Sequence, residues 1–323
     1  MSLVINYRAS TILYNFILSN DTKKGTWILP TNICHYVAAT ILKAGASIEI
    51  IDVSEDDFCL DNDIVISKLE ANSVKYSGVI YVRGFGIENN ANSIFNAIKN
   101  INKDILIVDD KCLSIPSIKG EVSSLVDMEL YSTGYSKFID LGYGGYAKLN
   151  KNINYEKAPL LYNEEDEQEF TKYFRGIIFD NNKPQEKLQD TLVNSNWLKS
   201  EEINTVEYLA KIEEKLKETK DNKEKINSVY ESCLLEKSKI SQSLNNWRYN
   251  IVTENRIEIL DALQKEDLFA SKHYHPLSKV FKSEESPVWD KYSGKILNLF
   301  NDFRYSVLKA QKTSEIINKI EER

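Results

Sequence analysis

The first half of the chain alternates short apolar runs with longer segments in which apolar residues recur at helical spacing. Seven of these runs have the length and composition of strands: LVINY, TWILP, SIEIIDV, GVIYVR, DILIVDD, MELYST and GGYAKL. Continuous apolar runs are typical of strands that are buried on both faces of a sheet. The segments between them, such as residues 34–44 and 90–101, are long enough for crossover helices. The pattern therefore predicts an α/β layer around a mostly parallel sheet.

The pattern changes after about residue 150. No glycine occurs between Gly176 and Gly294, and residues 201–244 are dense in Lys and Glu. Apolar residues recur there at helical spacing: Ile203, Val206, Leu209, Ile212 and Leu216. This predicts a pair of amphipathic helices with one face in water, followed by short strands between helices. We expect a large domain at 1–180, linking helices at 181–250 and a small α+β domain at 251–323.

The composition is that of an ordinary globular protein. The chain has 323 residues, of which 42% are hydrophobic and 28% charged, so it can bury a sizeable core. Lys and Arg number 41 against 48 Asp and Glu, which gives a formal net charge of -7. A negative chain of this kind opposes non-specific binding to nucleic acid. We expect no nucleic-acid partner.

Cysteine, histidine and apolar patterns give no sign of a metal site or a membrane anchor. The four cysteines lack CxxC spacing and the three histidines lack the spacing of a zinc site, so we expect reduced thiols in the cytoplasm and no metal. The N-terminal MSLVINYRAS does not have the pattern of a secretory signal. The longest uncharged run is interrupted by Pro30, Asn32 and His35, which predicts a strand and a helix rather than a membrane span.

One lysine has unusual neighbours. Lys137 follows the hydroxyl-rich turn STGYS and precedes Gly142, Gly144 and Gly145, in a chain with only 12 glycines. A lysine that forms a Schiff base with pyridoxal phosphate (PLP) needs such room. The cofactor also needs an acid beside its pyridine nitrogen and a site for its phosphate.

Two other stretches meet these further needs. Asp109 and Asp110 close the run DILIVDD, and ligands of open α/β sheets lie at the carboxyl ends of strands. Ser10 and Thr11 follow the first strand where a helix begins, a place at which backbone N–H groups bind phosphate, and Ser132 adds a hydroxyl. Each feature alone is weak, because loop lysines mostly face water and acids at strand ends mostly cap turns. Their order along the chain favours a PLP site.

With these motifs in this order, the chain resembles the DegT/DnrJ/EryC1/StrS group of sugar aminotransferases, which are fold-type I PLP enzymes. The resemblance rests on ASTIL, PTNIC, GASIEIIDV, VDDKCL, STGYSKF with GYGG, SKHYHPL and ILNLF. It implies a PLP-transferase-like large domain with a mixed, mostly parallel seven-stranded sheet, and a small C-terminal α+β domain. It also implies a homodimer with shared active sites.

The resemblance implies a role for several residues. Lys137 matches the Schiff-base lysine, which also moves the proton of the substrate carbon, and Asp110 matches the partner of the pyridinium nitrogen. Three hydroxyls match the phosphate site: Ser132, Ser10 and Thr11. Asn196 lines up with an asparagine that reaches the phosphate of the neighbouring subunit.

Other positions allow two interpretations. The aromatic residue that stacks on the cofactor ring falls at Cys34, and His35 beside it is a substitute by a one-residue shift. His273 and His275 belong to a segment near the active-site mouth, so they contact substrate or simply occupy a structural turn. Arg83 ends a strand on the ligand side and either binds a carboxylate or phosphate or forms a plain salt bridge.

The activity implied by the resemblance is PLP-dependent amino transfer from glutamate to a keto-sugar on a nucleotide, for surface polysaccharide or related biosynthesis. An alternative from another class is a degenerate relative with a binding or scaffold role, because Leu113 replaces the usual Gln or His and Cys34 the usual aromatic residue. A third is a PLP-dependent sugar dehydratase, but those relatives replace the lysine with histidine. Lys137 therefore favours the aminotransferase.

Overall fold

The computed structural model describes residues 2–180, 193–281 and 283–323. Seven strands form the main sheet: β1 (Ser2–Asn6), β2 (Thr26–Pro30), β3 (Ser47–Ile51), β4 (Tyr76–Val82), β5 (Leu106–Asp110), β6 (Met128–Ser132) and β7 (Gly145–Leu149). Their order is β1-β7-β6-β5-β4-β2-β3. The neighbours from β3 to β6 pair in parallel, whereas β7 is antiparallel to both β1 and β6. The predicted mixed, mostly parallel seven-stranded sheet is confirmed.

Helices cover both faces of this sheet. The large-domain helices are α1 (Ala9–Asn20), α2 (His35–Lys43), α3 (Asn62–Asn72), α4 (Asn92–Ile101) and α5 (Glu164–Asp180). Val108 of β5 is buried in one core with Leu13 of α1, and its neighbour Ile107 is buried in another core with Phe95 of α4. Because side chains alternate along a strand, consecutive residues of β5 serve different faces of the sheet.

A single long helix, α6 (Thr205–Cys233), links the main sheet to the C-terminal region. The predicted pair of helices is wrong here, because residues 205–233 contain no glycine or proline that would interrupt a helix. Four of the five residues of the predicted apolar face are confirmed: Ile212 is buried, and Ile203, Leu209 and Leu216 pack against the same core. The fifth, Val206, is 78% exposed. Tyr208 completes the face against the main sheet, and Ile226 is buried in the C-terminal core.

A small three-stranded antiparallel sheet organises the C-terminal region. It consists of β8 (Tyr249–Val252), β9 (Ala270–Ser271) and β10 (Ile296–Leu299), in the order β8-β10-β9. Its helices are α7 (Arg256–Lys265), α8 (Leu277–Phe281), α9 (Pro287–Ser293) and α10 (Val307–Glu321). The predicted linking segment 181–250 begins with residues 181–192, which lie outside the described residues, so the domain limits stay a prediction.

The described residues contain neither a helix that could cross a membrane nor a cluster of metal ligands. None of the helices there combines the length and the apolar character that crossing a membrane requires. Nor do His, Cys, Asp and Glu side chains gather there in a group of three or more that could hold a metal ion. All four cysteines are free thiols.

Candidate active site

A cavity of about 410 Å³ lies at the carboxyl ends of β4, β5 and β6, beside the first turn of α1. Four residues predicted from the sequence line it: Lys137, Asp110, Ser132 and Ser10. We call it the lysine cavity. Open α/β sheets bind their ligands in this position, and the volume is within the usual range of about 300–1,000 Å³ for small-molecule sites.

The loop that carries Lys137 is fixed on both sides of the lysine. Ser136 has a φ of 59°, in the left-handed region, and its N–H donates to Asp140 Oδ2 at 2.9 Å. The indole N–H of Trp247 donates to the Ser136 carbonyl at 2.5 Å. The Lys137 ammonium itself has no hydrogen bond or ion pair with the described residues. A lysine that is held by its backbone and has a free amine is suited to react with a ligand in the cavity.

The turn after Lys137 needs a glycine where its backbone passes close to Tyr208 and Thr133. Gly144 has a φ of 94°, and a Cβ there would lie 2.5 Å from the Tyr208 ring and 2.7 Å from Thr133 Oγ1. The Thr133 N–H donates to the Gly144 carbonyl at 3.0 Å, and Thr133 Oγ1 donates to the Tyr143 carbonyl at 2.8 Å. The chain can therefore return from the lysine loop to β7 only if residue 144 is glycine.

Asp110 is the buried acid of the cavity. Its side chain is 5% exposed, and Oδ1 accepts the Cys112 N–H at 2.9 Å. Burial raises the pKa of Asp110, while the hydrogen bonds from Cys112 and the nearby Lys137 ammonium act in the opposite direction. A buried carboxyl at the bottom of a cavity is well suited to bind a protonated ring nitrogen, because the opposite charge stabilises its ionised form.

The first turn of α1 offers an anion site. Arg8 is the N-cap residue, but its side chain makes no capping bond and instead pairs with Glu167 at 2.9 Å through Nη2. The N–H groups of Ala9 and Ser10, which line the cavity, have no acceptor among the described residues. Ser132 Oγ accepts the Gly134 N–H at 3.3 Å, so its own O–H remains available to donate. Free helix N–H groups beside a hydroxyl are a typical phosphate site.

Two predicted cofactor residues do not line the lysine cavity. Thr11 is fully buried, and its hydroxyl donates to the Lys199 carbonyl at 2.6 Å. His35 stacks on Phe174 with ring centroids 4.5 Å apart, and burial lowers its pKa to about 4. It is Cys34, the residue before it, that lines the cavity.

Asn196 also lies outside the cavity of the single chain. Its N–H donates to Asp166 Oδ2 at 2.5 Å, and its carbonyl accepts the Asn163 N–H at 2.8 Å. Its side-chain amide is half-buried and has no hydrogen bond with the described residues.

The two predicted substrate histidines, His273 and His275, do not line the lysine cavity. Backbone N–H of His273 donates to Asn298 Oδ1 at 2.8 Å, and burial lowers the pKa of the ring to about 4. His275 is also half-buried outside the wall, and the residue between the two histidines, Tyr274, lines the cavity instead.

Arg83 is held in a salt bridge on the opposite face of the sheet. Its Nε and Nη2 atoms donate to the two carboxylate oxygens of Asp109 at 2.7 and 2.8 Å. Both side chains are buried, at 7% and 2% exposure, and neither lines the lysine cavity. Of the two interpretations of Arg83, the structure therefore shows the salt bridge.

Sequence reasoning missed the residues that support the lysine loop. Asp140 accepts the N–H groups of Ser136 and Gly142, the latter at 3.0 Å, in a pattern that an acid before a glycine-rich turn could have suggested. Trp247 is 111 residues from its partner Ser136, and nothing in the local pattern indicates that contact.

Most of the chain matches the sequence model of one protein family. The sequence model of the DegT/DnrJ/EryC1/StrS aminotransferase family matches residues 16–319. Among curated proteins, none matches the sequence.

Solved structures of low sequence identity share the fold. A DegT/DnrJ/EryC1/StrS aminotransferase from Brucella abortus has 18% identity and a TM-score of 0.70, covering 100% of this chain and 87% of its own. A proposed sugar aminotransferase, Spr1654 from Streptococcus pneumoniae in its PMP form, has 17% identity and a TM-score of 0.73, covering 99% and 88%. DesI, solved in the presence of its TDP-sugar product, has 12% identity and a TM-score of 0.71, covering 100% and 81%.

Proposed function

Because the chain belongs to the DegT/DnrJ/EryC1/StrS aminotransferase family, we propose that it transfers an amino group from glutamate to a nucleotide-linked keto-sugar, with PLP as its cofactor. The observation that carries the proposal is that Lys137, Asp110, Ser132 and the uncapped start of α1 share one cavity. The substrate class is taken from relatives such as DesI, whose structure was solved with a TDP-sugar product. A role in surface polysaccharide or related biosynthesis would follow from it.

The residues of the lysine cavity fit this cofactor. The free N–H groups of Ala9 and Ser10, together with the Ser132 hydroxyl, suit a phosphate dianion. The buried Asp110 carboxylate suits a protonated pyridine nitrogen. The Lys137 side chain, which has no partner among the described residues, can react with an aldehyde as its neutral amine. Each of the three chemical groups of PLP therefore has a partner of the right type.

When bound, PLP supplies an electron sink for negative charge that develops at the substrate carbon. Lys137 would hold the cofactor between turnovers and then carry the proton to and from that carbon through Nζ. The Asp110 carboxylate would keep the ring nitrogen protonated, and the N–H groups of α1 with Ser132 would fix the phosphate. Cys34 and Tyr274, which line the wall, would exclude water from the reacting groups.

We also propose a two-fold symmetric homodimer with shared active sites, in the cytoplasm. The side-chain amide of Asn196 has no partner among the described residues and is half-buried, which supports a role in reaching the cofactor of the neighbouring subunit. Four free cysteines are typical of a reducing compartment.

The test is the absorbance of the purified protein after incubation with PLP. We expect a visible band that changes when glutamate is added, and borohydride reduction should place the cofactor on the peptide that contains Lys137. A label on another lysine would overturn the assignment of Lys137.

A second candidate, a scaffold protein without catalysis, is favoured by one observation. Leu113 and Cys34 both line the lysine cavity, so two positions of its wall have neither a strong hydrogen-bonding group nor an aromatic ring. The absence of any PLP band at saturating cofactor would favour this candidate.

A further inference from the structure

A second cavity lies on the opposite face of the main sheet. It has a volume of about 370 Å³ and lies between the loop after β4, the loop after β5 and strands β6 and β7. Lys111, Ser114, Glu129 and Lys148 line it, and Arg83 forms part of its wall. We call it the back cavity. None of its lining residues also lines the lysine cavity, so it is a separate site.

The buried charges of the back cavity do not cancel. Glu129 accepts hydrogen bonds or ion pairs from Lys111 at 2.7 Å and from Lys148 at 2.8 Å. Asp109, behind the wall, pairs with Arg83 at 2.7 Å and with Lys111 at 3.4 Å. The cluster thus contains three cations and two carboxylates, an excess of one positive charge.

The two lysines keep the Glu129 carboxylate ionised. Burial alone would raise the pKa of Glu129, but hydrogen bonds and charge interactions with Lys111 and Lys148 lower it. With Glu129 ionised, the buried cluster keeps its excess of one positive charge. The other charged residues of the cavity, Glu88, Lys119 and Glu121, are exposed at its mouth, where water screens them.

Two groups in the wall have unused hydrogen-bonding capacity. Lys148 is 3% exposed; its ammonium pairs with Glu129 and lies 5.6 Å from the centre of the Tyr131 ring. Glu129 supplies its one oxygen acceptor among the described residues, so it can donate to a further oxygen. The Ser114 side chain is 5% exposed, and its hydroxyl has no partner at all in the described part of the chain. Buried polar groups in folded proteins are normally paired, so these two groups beside a cavity are suited to bind the oxygens of a ligand.

We propose that the back cavity binds a small oxyanion, a phosphate or a carboxylate, between Lys148, Lys111 and Ser114. Its negative charge balances the excess positive charge, and its oxygens accept the free N–H groups of Lys148 and the Ser114 hydroxyl. The surrounding sheet strands make the site rigid. The site is independent of the proposed amino transfer and needs no cofactor.

The test is calorimetric titration of the PLP-saturated protein with inorganic phosphate and, separately, with acetate, each against sodium chloride of equal ionic strength. Saturating PLP fills the phosphate site of the lysine cavity, so that added phosphate reports on the back cavity. We expect saturable binding of at least one oxyanion. Binding of phosphate alone identifies a phosphate site, and binding of acetate alone identifies a carboxylate site.

Three variants locate the binding. Lys148→Met should weaken it by about tenfold or more, because a charge-assisted hydrogen bond is lost. Ser114→Ala keeps every charge and should weaken binding several-fold, so it remains informative if Lys148→Met does not fold. Lys68→Met removes an ion-paired lysine elsewhere and should leave binding unchanged. No saturable binding of either anion, or equal affinity in wild type, Lys148→Met and Ser114→Ala, would overturn the proposal.

Discussion

Asp109 and Asp110 are consecutive residues of β5 whose carboxylates serve opposite faces of the sheet. Asp110 lines the lysine cavity, whereas Asp109 forms a two-point ion pair with Arg83 beside the back cavity. Because side chains alternate along a strand, two neighbouring aspartates have different roles: Asp110 belongs to the candidate active site, and Asp109 stabilises the fold.

This relationship gives a matched pair of variants. Asp110→Asn should keep the fold and lower kcat by about 10²-fold or more, because a pre-organised charge is lost from the site. Asp109→Asn should instead lower the free energy of unfolding by about 3–5 kcal/mol, because Arg83 loses its buried partner. Urea unfolding and steady-state kinetics on both proteins measure the two effects. The reverse pattern would mean that Asp109 is the acid of the site.

Trp247→Phe tests the support of the lysine loop. The variant keeps an aromatic ring but removes the N–H that donates to the Ser136 carbonyl, which should lower kcat by about 2- to 10-fold, the worth of one hydrogen bond. Trp27→Phe is the control. The indole N–H of Trp27 donates to Asp21 at 2.9 Å, and Trp27 does not line the lysine cavity, so this variant should affect stability alone. Equal kcat values for the two variants would show that the indole contact does not orient Lys137.

Gly144→Ala should damage the protein more than Gly120→Ala. Both glycines have positive φ, so both alanines carry strain of about 1–2 kcal/mol. Only at Gly144 would the new Cβ also clash, since Tyr208 and Thr133 lie within 2.7 Å of it. At Gly120, no atom of the described residues lies within 4 Å of a Cβ. Thermal unfolding should therefore rank Gly144→Ala below Gly120→Ala, and similar melting temperatures would refute the close packing described here.

Lys223 should make stability depend on pH. Burial lowers its pKa from 10.5 to about 7, although Asp302 acts in the opposite direction. The unfolded chain therefore binds the Lys223 proton more tightly than the folded chain does. The charged amine thus lowers the free energy of unfolding fully below about pH 7, and this loss disappears as the pH rises toward 10.5. Relative to Lys223→Met, the wild-type free energy of unfolding should rise by more than about 1.4 kcal/mol between pH 7 and 10.

The matched control for this pH effect is Lys225→Met. Lys225 is exposed on the same helix, so its removal should leave the pH dependence of wild-type stability intact. If the difference in the free energy of unfolding between wild type and Lys223→Met does not change between pH 7 and 10, burial does not destabilise the charged form of Lys223.

The shared active site can be tested with hybrid dimers. Lys137→Ala and Asn196→Ala proteins should each have little activity, but a mixture should recover about one quarter of the wild-type rate, because half of the dimers then contain one intact site. Mixing Lys137→Ala with Lys137→Arg is the control and should recover none. Sedimentation should show a species of twice the monomer mass. A monomer that binds PLP normally would reject shared sites.

The sequence predicted the sheet well because each strand is a local run of apolar residues, and all seven runs form strands. It also selected Lys137, Asp110, Ser132 and Ser10, which the fold brings to one cavity. The directions of neighbouring side chains were harder to predict. Successive residues of a helix point about 100° apart, so Ser10 lines the cavity while Thr11 is turned into the core.

The back cavity illustrates a second limit. Its charged residues come from the ends of β4 and β5 and from the middle of β6 and β7, so they are separated by up to 65 residues along the chain. No local pattern connects Arg83 with Lys148. Only the pairing of the strands, which depends on the order in the whole sheet, places them together.

The long helix α6 has a consequence for how the protein unfolds. Its first half, with Tyr208 and Ile212, belongs to a core formed with β6 and β7, and its second half, with Ile226 and Tyr230, belongs to the core of the small sheet. Helix formation is cooperative, so unfolding of one half of α6 destabilises the other half. If one core is lost, α6 therefore also loosens from the second core and exposes its apolar residues. Heating should therefore melt both sheets in one calorimetric transition, and a cut within α6 should yield two fragments that are each insoluble alone.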